Sequence, residues 1–333
     1  MNDTVKEPAA PGRGFDPRKA LEAFGPVLGL ILVVIIFSGA RGFLTPVNFN
    51  IVLTQTVIVA LGSIGMTMVI VGGGIDLSVG SIVALCSVVG AVAVQAGWPV
   101  PAVILVAILA GGMCGLLNGA IIARFDMAPF IVTLGMMGIA RGVAKWLGRN
   151  QTVNFPPDHD VNRLMNNPAE ISGWEVPMWM PPPGVVIALV AAGLMTLVLA
   201  RTIFGRRVYA LGSSEATARL CGIPTLSLKI WLYTLAGFFY GLAGVMQLSR
   251  LQQGDPTVAI GLELDVIAAV VIGGASLTGG SGSIPGAMIG ALIMAVLRNG
   301  SDQMGWESYV QEIIIGSVII FAVGLDKLRR RTA

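Results

Sequence analysis

Charge is scarce in this chain. Of its 333 residues, 12% are Asp, Glu, Lys or Arg, about half the charged share of a soluble domain. A globule of this size needs a charged skin, and too little charge is present to make one. Histidine is almost missing, since His159 is the only one. The three cysteines, Cys86, Cys114 and Cys221, are too scattered for metal-ligand spacing or a disulfide framework. No lysine follows a glycine, so the Gly-Lys core of a P-loop is absent. No Gly-x-Ser-x-Gly elbow and no His-Glu-x-x-His occurs. These absences leave little for acid–base or thiol catalysis. The chain reads as no enzyme, with no cofactor and no resident metal.

What is present is apolar. Hydrophobic residues make up 55% of the sequence and the mean hydropathy is +0.81. Forty-four glycines and eighteen prolines are many for soluble helices, but membrane helices tolerate both. Apolar segments lie at 24–40, 50–71, 75–97, 101–123, 129–148, 184–200, 229–249, 261–278, 283–299 and 307–325. Each is near the roughly 20 residues that cross about 30 Å of hydrocarbon. The first is no cleaved signal, because its polar lead is long and many spans follow. The reading is therefore an all-α polytopic membrane protein with about ten transmembrane helices.

Basic residues orient it. Two crossings between 50 and 97 put Arg124, the 201–229 cluster and the tail (Lys327, Arg329, Arg330, Arg331) on one side with the N-terminal basic residues. Fourteen of the 21 basic residues then face the cytoplasm, which the positive-inside tendency favours. Both termini are expected there. The expected organisation is a cytoplasmic segment 1–23, a transmembrane unit 24–325 and a basic cytoplasmic tail 326–333. Residues 150–183 are polar and proline-rich and fall on the outer side. Asp158-His159-Asp160 within them reads as solvated loop, not a metal site, and Trp174 and Trp179 as interfacial anchors or partner contacts.

Three stretches stand out. Gly72-Gly73-Gly74-Ile75-Asp76-Leu77-Ser78 interrupts an apolar run. It is either a polar turn at the cytoplasmic surface or an unwound segment whose carboxylate lines a cavity. Glu263 and Asp265 open an apolar helix, where they serve as N-terminal charge complements or stand at the entrance of a pathway. Within the 201–228 loop, Glu215 to Cys221 should form a short helix, closed by Gly222 and stopped by Pro224. Glu215 and Arg219 can pair across its turn, while Ala216 and Ala218 permit close approach. It offers a rigid face to a cytoplasmic partner, or the loop merely fixes topology. The run Gly279-Gly280-Ser281-Gly282-Ser283 reads as a tight membrane hairpin rather than a phosphate cradle.

Taken in order, Gly73-Gly74-Ile75-Asp76-Leu77-Ser78-Val79-Gly80, Glu215-Ala-x-Ala-Arg219-Leu-x-Gly222-Ile223 and Glu263-Leu264-Asp265…Ile272-Gly273-Gly274 resemble the permease subunit of ribose-type monosaccharide ABC importers. The resemblance spans about residues 20–328. It implies a type II ABC importer architecture in the bacterial inner membrane. Two cytoplasmic ATPases, a second permease subunit (identical or not) and a periplasmic sugar-binding protein would be its partners, with no nucleic acid. It makes 215–223 the coupling element and places Gly73, Gly74, Asp76, Ser78, Glu263 and Asp265 on the gate or pathway. Related permeases carry autoinducer-2, nucleosides or amino acids. A stand-alone secondary transporter or channel is the alternative of a different class. It usually needs ionisable groups buried mid-helix, whereas Asp76, Arg141, Asp265 and Glu312 cluster near expected span ends.

Overall fold

The computed structural model describes residues 17–166 and 180–331. Among them are twelve helices: α1 (Pro17–Phe37), α2 (Pro46–Val71), α3 (Val79–Gln95), α4 (Val100–Phe125), α5 (Pro129–Leu147), α6 (Pro183–Arg201), α7 (Ile203–Ser213), α8 (Glu215–Leu220), α9 (Thr225–Leu251), α10 (Leu262–Ile272), α11 (Ile284–Gln303) and α12 (Ser308–Arg331). Proline occupies the first turn of α2, α4, α5, α6 and α11, where its missing N–H costs nothing. Six helices (α2, α4, α5, α6, α9 and α11) are long and apolar enough to cross a membrane. On α6, Val186, Leu189, Val190, Leu194 and Leu197 form one exposed face, which suits hydrocarbon and not water. The chain is an all-helical, multi-pass membrane protein.

Every expected apolar segment contains a helix, but not every one is a full crossing. α10 has 11 residues, about 16 Å of rise, roughly half the hydrocarbon thickness. The expectation of a spanning helix over 261–278 is corrected on that point. Gly273 and Gly274 close the helix early, and the chain before it enters the protein as non-helical backbone. Gly254 sits against Ser87, Val88 and Ala91 of α3, whereas Ala259 and Glu263 abut Gly80 on the same helix. Segment 254–263 therefore descends about 10–16 Å along α3 before α10 begins. Arg141 of α5 ties it down, its Nη1 donating to Pro256 O (2.9 Å) and Val258 O (2.6 Å).

Other boundaries shift for local reasons. α1 starts at Pro17, inside the stretch expected to be a cytoplasmic segment, and α12 runs on through the basic tail to Arg331. α7 was not expected at all; Thr202 caps it by accepting from Gly205 N–H (3.3 Å), and Val208 and Leu211 bury its apolar side. The outer segment is less solvated than its composition suggests. Val153–Asn154 pairs antiparallel with Gln253–Gly254, and Val153, Phe155, Val161 and Met165 are buried. His159 caps a 3-10 turn through Val161 N–H, and Asp160 pairs with Arg163. Trp174, Trp179 and residues 1–16 lie outside the described residues.

The centre of the molecule is α9 against α4, packed backbone to backbone. Gly115 lies against Tyr233 O, Gly111 against Gly237 and Gly241, and Gly119 against Ile230. Small residues at four-residue spacing let helices approach closely where no hydrophobic effect drives them together.

Candidate functional site: a glycine junction and two helix breaks

The stretch from Gly72 to Ser78 is a turn that leads into unwound, buried backbone, so its carboxylate lies neither at a surface nor in an open cavity. It starts as a turn where α2 ends and then climbs. Val79 and Val266 meet Gly62, nine residues before the end of α2, so α3 begins about 13 Å from that end. Asp76 and Ser78 are completely buried. The Ser78 N–H and Oγ both donate to Asp76 Oδ1, and Asn118 Nδ2 of α4 donates to Ser78 Oγ (3.1 Å). Thr133 of α5 accepts from Leu77 N–H (3.1 Å) and donates to Ile75 O (3.3 Å). Asp76 Oδ2, Asn118 Oδ1 and the hydroxyls of Tyr233 and Tyr240 have no partner among the described residues. Asp76 thus organises the break from inside, walled by α4, α5 and α9, and touches no solvent.

A second break repeats the first. After α2, Gly72, Gly73 and Gly74 N–H donate to Met68, Ile70 and Val69 O at 2.9–3.0 Å. After α10, Gly273, Gly274 and Ala275 N–H donate to Ala269, Val271 and Val270 O at 2.9–3.1 Å. Gly73 and Gly274 both hold positive φ, 86° and 91°, the glycine-dependent C-cap of a Schellman motif. A serine restarts the chain in each case, Ser78 before α3 and Ser283 before α11. The repeat is legible in the sequence as Val71-Gly72-Gly73 against Ile272-Gly273-Gly274, but about two hundred residues separate its halves.

The two breaks meet at the end of α7. Gly280 N–H donates to Val71 O (2.9 Å). Gly73, Gly212 and Gly279 touch through backbone, and any Cβ on Gly212 would strike Val71 O. Tyr209 of α7 donates to Gly282 O (2.8 Å). The hairpin 273–283 is thus seated on α7, backbone against backbone at Gly212 and through Tyr209 at its far end.

α8 follows at once, and Gly222 closes it as expected. Ser214 Oγ accepts from Thr217 N–H (3.2 Å), and Gly222, at φ 76°, lets Ile223 N–H reach Ala218 O (3.0 Å). Glu215 bonds Lys229 Nζ (2.7 Å) and Arg219 (3.1 Å). Arg219 Nε also donates to Thr225 Oγ1 (3.3 Å). Burial alone would raise the Glu215 carboxyl. The hydrogen bond and charge of Lys229, with Arg219 behind them, outweigh burial and hold it below its ordinary value. Of the two alanines, Ala218 is buried inward and Ala216 is exposed. Leu220 is 89% exposed, an apolar residue that the sequence reading passed over.

At the other end of α10, level with the start of α3, Glu263 and Asp265 divide. Asp265 is buried and held by Arg298 of α11, Nε to Oδ2 at 2.8 Å and an Nη2 to Oδ1 at 2.9 Å. It is one half of a two-pronged ion pair rather than a helix-capping charge. Glu263 is half-buried beside Gly80. Arg298 could not be found by proximity, being 33 residues away.

Comparison with known proteins places this geometry. The chain is 40% identical over 309 residues to the ribose import permease protein RbsC of Bacillus subtilis, covering 92% of this chain and 93% of that one. It is 35% identical over 301 residues to the L-arabinose ABC transporter permease protein AraH of Azospirillum brasilense, covering 90% and 86%. It is also 32% identical over 333 residues to the fructose import permease protein FruG of Bifidobacterium longum, covering 97% and 96%. No solved structure matches it. A family model described as the branched-chain amino acid transport system / permease component matches residues 48–323. With that match spanning both helix breaks, the glycine junction and α8, the chain belongs to this permease family.

Proposed function

We propose that this chain is the transmembrane subunit of an ATP-driven importer that brings a monosaccharide into the cytoplasm, and that it is not itself an enzyme. The carrying observation is near-full-length likeness to import permeases named for ribose, L-arabinose and fructose. In this reading the chain makes ten passes of the bacterial inner membrane with both termini inside. The eighth pass is the descending segment 254–263 followed by α10. The arrangement is of the type II importer kind. A second permease subunit completes the pathway, two ATPases sit beneath α8, and a periplasmic binding protein delivers sugar to the outer face.

The residues then take these roles. Glu215, Arg219 and Gly222 hold α8 in shape, Ala218 seats it, and Ala216 and Leu220 meet the ATPase. Gly73 and Gly74, with Asp76 and Ser78, form the inner hinge next to that helix. Glu263 and Asp265 stand at depth on the pathway, where α10 begins beside the start of α3, and not at its outer entrance as the sequence suggested. Supporting this is the short physical route from α8 through Gly212 to both breaks. The test is uptake by the complex in proteoliposomes. Accumulation of sugar should require ATP and all partners. Accumulation by this subunit alone under a proton or sodium gradient would replace the reading with a secondary transporter.

A further inference from the structure

A cavity of about 350 Å³ lies between the outer halves of α2, α9 and α11, the start of α12 and the N-terminal end of α10. Its volume is at the small end of ligand sites. Its floor is Ala259, Ile260 and Leu262, where the descending segment turns into α10. Half-helices that begin at membrane depth next to a polar space are a recurring way to hold a solute in transit.

The lining is polar well beyond what folding needs. Gln55, Gln247, Arg250, Asp265, Arg298 and Gln311 all face the cavity. Some of these groups are committed: Asp265 to Arg298, and Gln311 Nε2 to Asp302 Oδ1 (2.6 Å). Others are not. Gln247 is 93% buried, being 7% exposed, yet its amide bonds no described residue. Gln55 Oε1 is buried and also lacks a partner. Arg250 makes no hydrogen bond or ion pair among the described residues. A fully buried amide oxygen left unbonded, as at Gln55, costs of the order of 1–3 kcal/mol, while the Gln247 and Arg250 side chains open onto the cavity with bonds to spare.

The chemistry of that something follows from the charge. Two arginines, Arg250 and Arg298, face two carboxylates, Asp265 and Asp302. The lining is neutral overall, so neither an anion nor a cation is favoured. Amides, guanidinium groups and carboxylates together offer donors and acceptors in quantity, which suits a neutral solute carrying several hydroxyls. No aromatic ring lines the space, so the flat apolar face that would hold a sugar tightly is missing. We infer that this cavity is a transit site within the single chain for a neutral polyhydroxyl solute, with Gln247, Gln55 and Arg250 as the free groups that greet it. The inference rests on the sugar-import reading and adds the place and residues through which the solute passes.

The experiment has two arms. In the first, full-length protein carrying Gln247→Cys and Cys221→Ser, in intact spheroplasts, is treated from outside with a membrane-impermeant methanethiosulfonate. The expected result is modification, slowed by an excess of D-ribose, L-arabinose or D-fructose and not by sucrose. In the second, the complete complex with Gln247→Leu should import the same sugar roughly tenfold more slowly, the size of one lost hydrogen bond to a polar solute. Gln247→Asn should restore part of the rate, and membrane levels should be unchanged. No modification from outside, or modification indifferent to every sugar, overturns the assignment, as does wild-type uptake by Gln247→Leu. If the wild-type complex imports no monosaccharide, pentose or hexose, the import reading fails instead, and the labelling arm alone decides the cavity.

Discussion

Glu215 ties three things together: the first turn of α8, Arg219 four residues on, and Lys229 on the next helix. Exposure of Arg219 and solvent screening keep the pairs' stabilising contribution to about 1 kcal/mol or less, so Glu215→Gln should leave the protein folded. It should loosen α8 from α9 and lower the sugar moved per ATP hydrolysed, read in one reconstituted complex. The pH dependence has a definite sign. A carboxyl held below its ordinary value contributes above the unfolded pKa, and the contribution is lost as pH falls through the lowered one. Hydrogen exchange of the α8 amides should therefore be protected at neutral pH and rise only below the ordinary carboxylate range, with no such transition in Glu215→Gln. Asp265 behaves differently because it is buried. Arg298→Met strands its charge and should cost about 3–5 kcal/mol, seen as a lower melting temperature in detergent. Adding Asp265→Asn to that variant should recover much of the loss; no recovery would mean the pair is not what holds α10.

At the scale of elements, the sequence was informative wherever one local rule governed the outcome. The extent of α8 could be read from its helix formers, Gly222 and Pro224, since stop signals are local chemistry. The apolar runs located ten of the twelve helices. α7 was missed because its signal is an amphipathic stripe of two buried residues, Val208 and Leu211, inside a basic loop. The depth of Asp76 was undecidable from sequence, because it depends on Asn118 and Thr133 arriving from other helices. The descent of 254–263 was invisible for the same reason: Arg141, more than a hundred residues earlier, holds it. The α4–α9 contact gives a direct test. A methyl on Gly115 would collide with Tyr233 O, so Gly115→Ala should destabilise by about 1–3 kcal/mol. Gly193→Ala on α6, where nothing lies within 4 Å, should leave the melting temperature unchanged. Equal melting of the two variants would refute the close approach.

For the whole molecule, one native thiol reports orientation. Cys86 and Cys114 are buried and Cys221, at the end of α8, is exposed. An impermeant maleimide should therefore miss the wild-type protein in spheroplasts and label it in inverted vesicles. Labelling from the periplasmic side would overturn the ten-pass reading. Adding the partner ATPase to the inverted vesicles should then slow the reaction, because Leu220 beside the thiol is an apolar residue awaiting cover.

The shortness of α10 also governs how the protein can be made. A helix of 11 residues with Glu263 and Asp265 in its first turn is a poor substrate for lateral release into lipid, each such charge costing about 2.5–3.5 kcal/mol at a helix centre. Its non-helical lead has backbone groups that hydrocarbon cannot satisfy. α10 should therefore settle in the bilayer only once α3 and α5 can receive its lead and α11 has brought Arg298 to its carboxylate. The expected outcome is an insertion step later than the synthesis of the segment itself, checked by the time at which a glycosylation or cysteine tag in 254–263 becomes protected in truncated chains that end before and after α11.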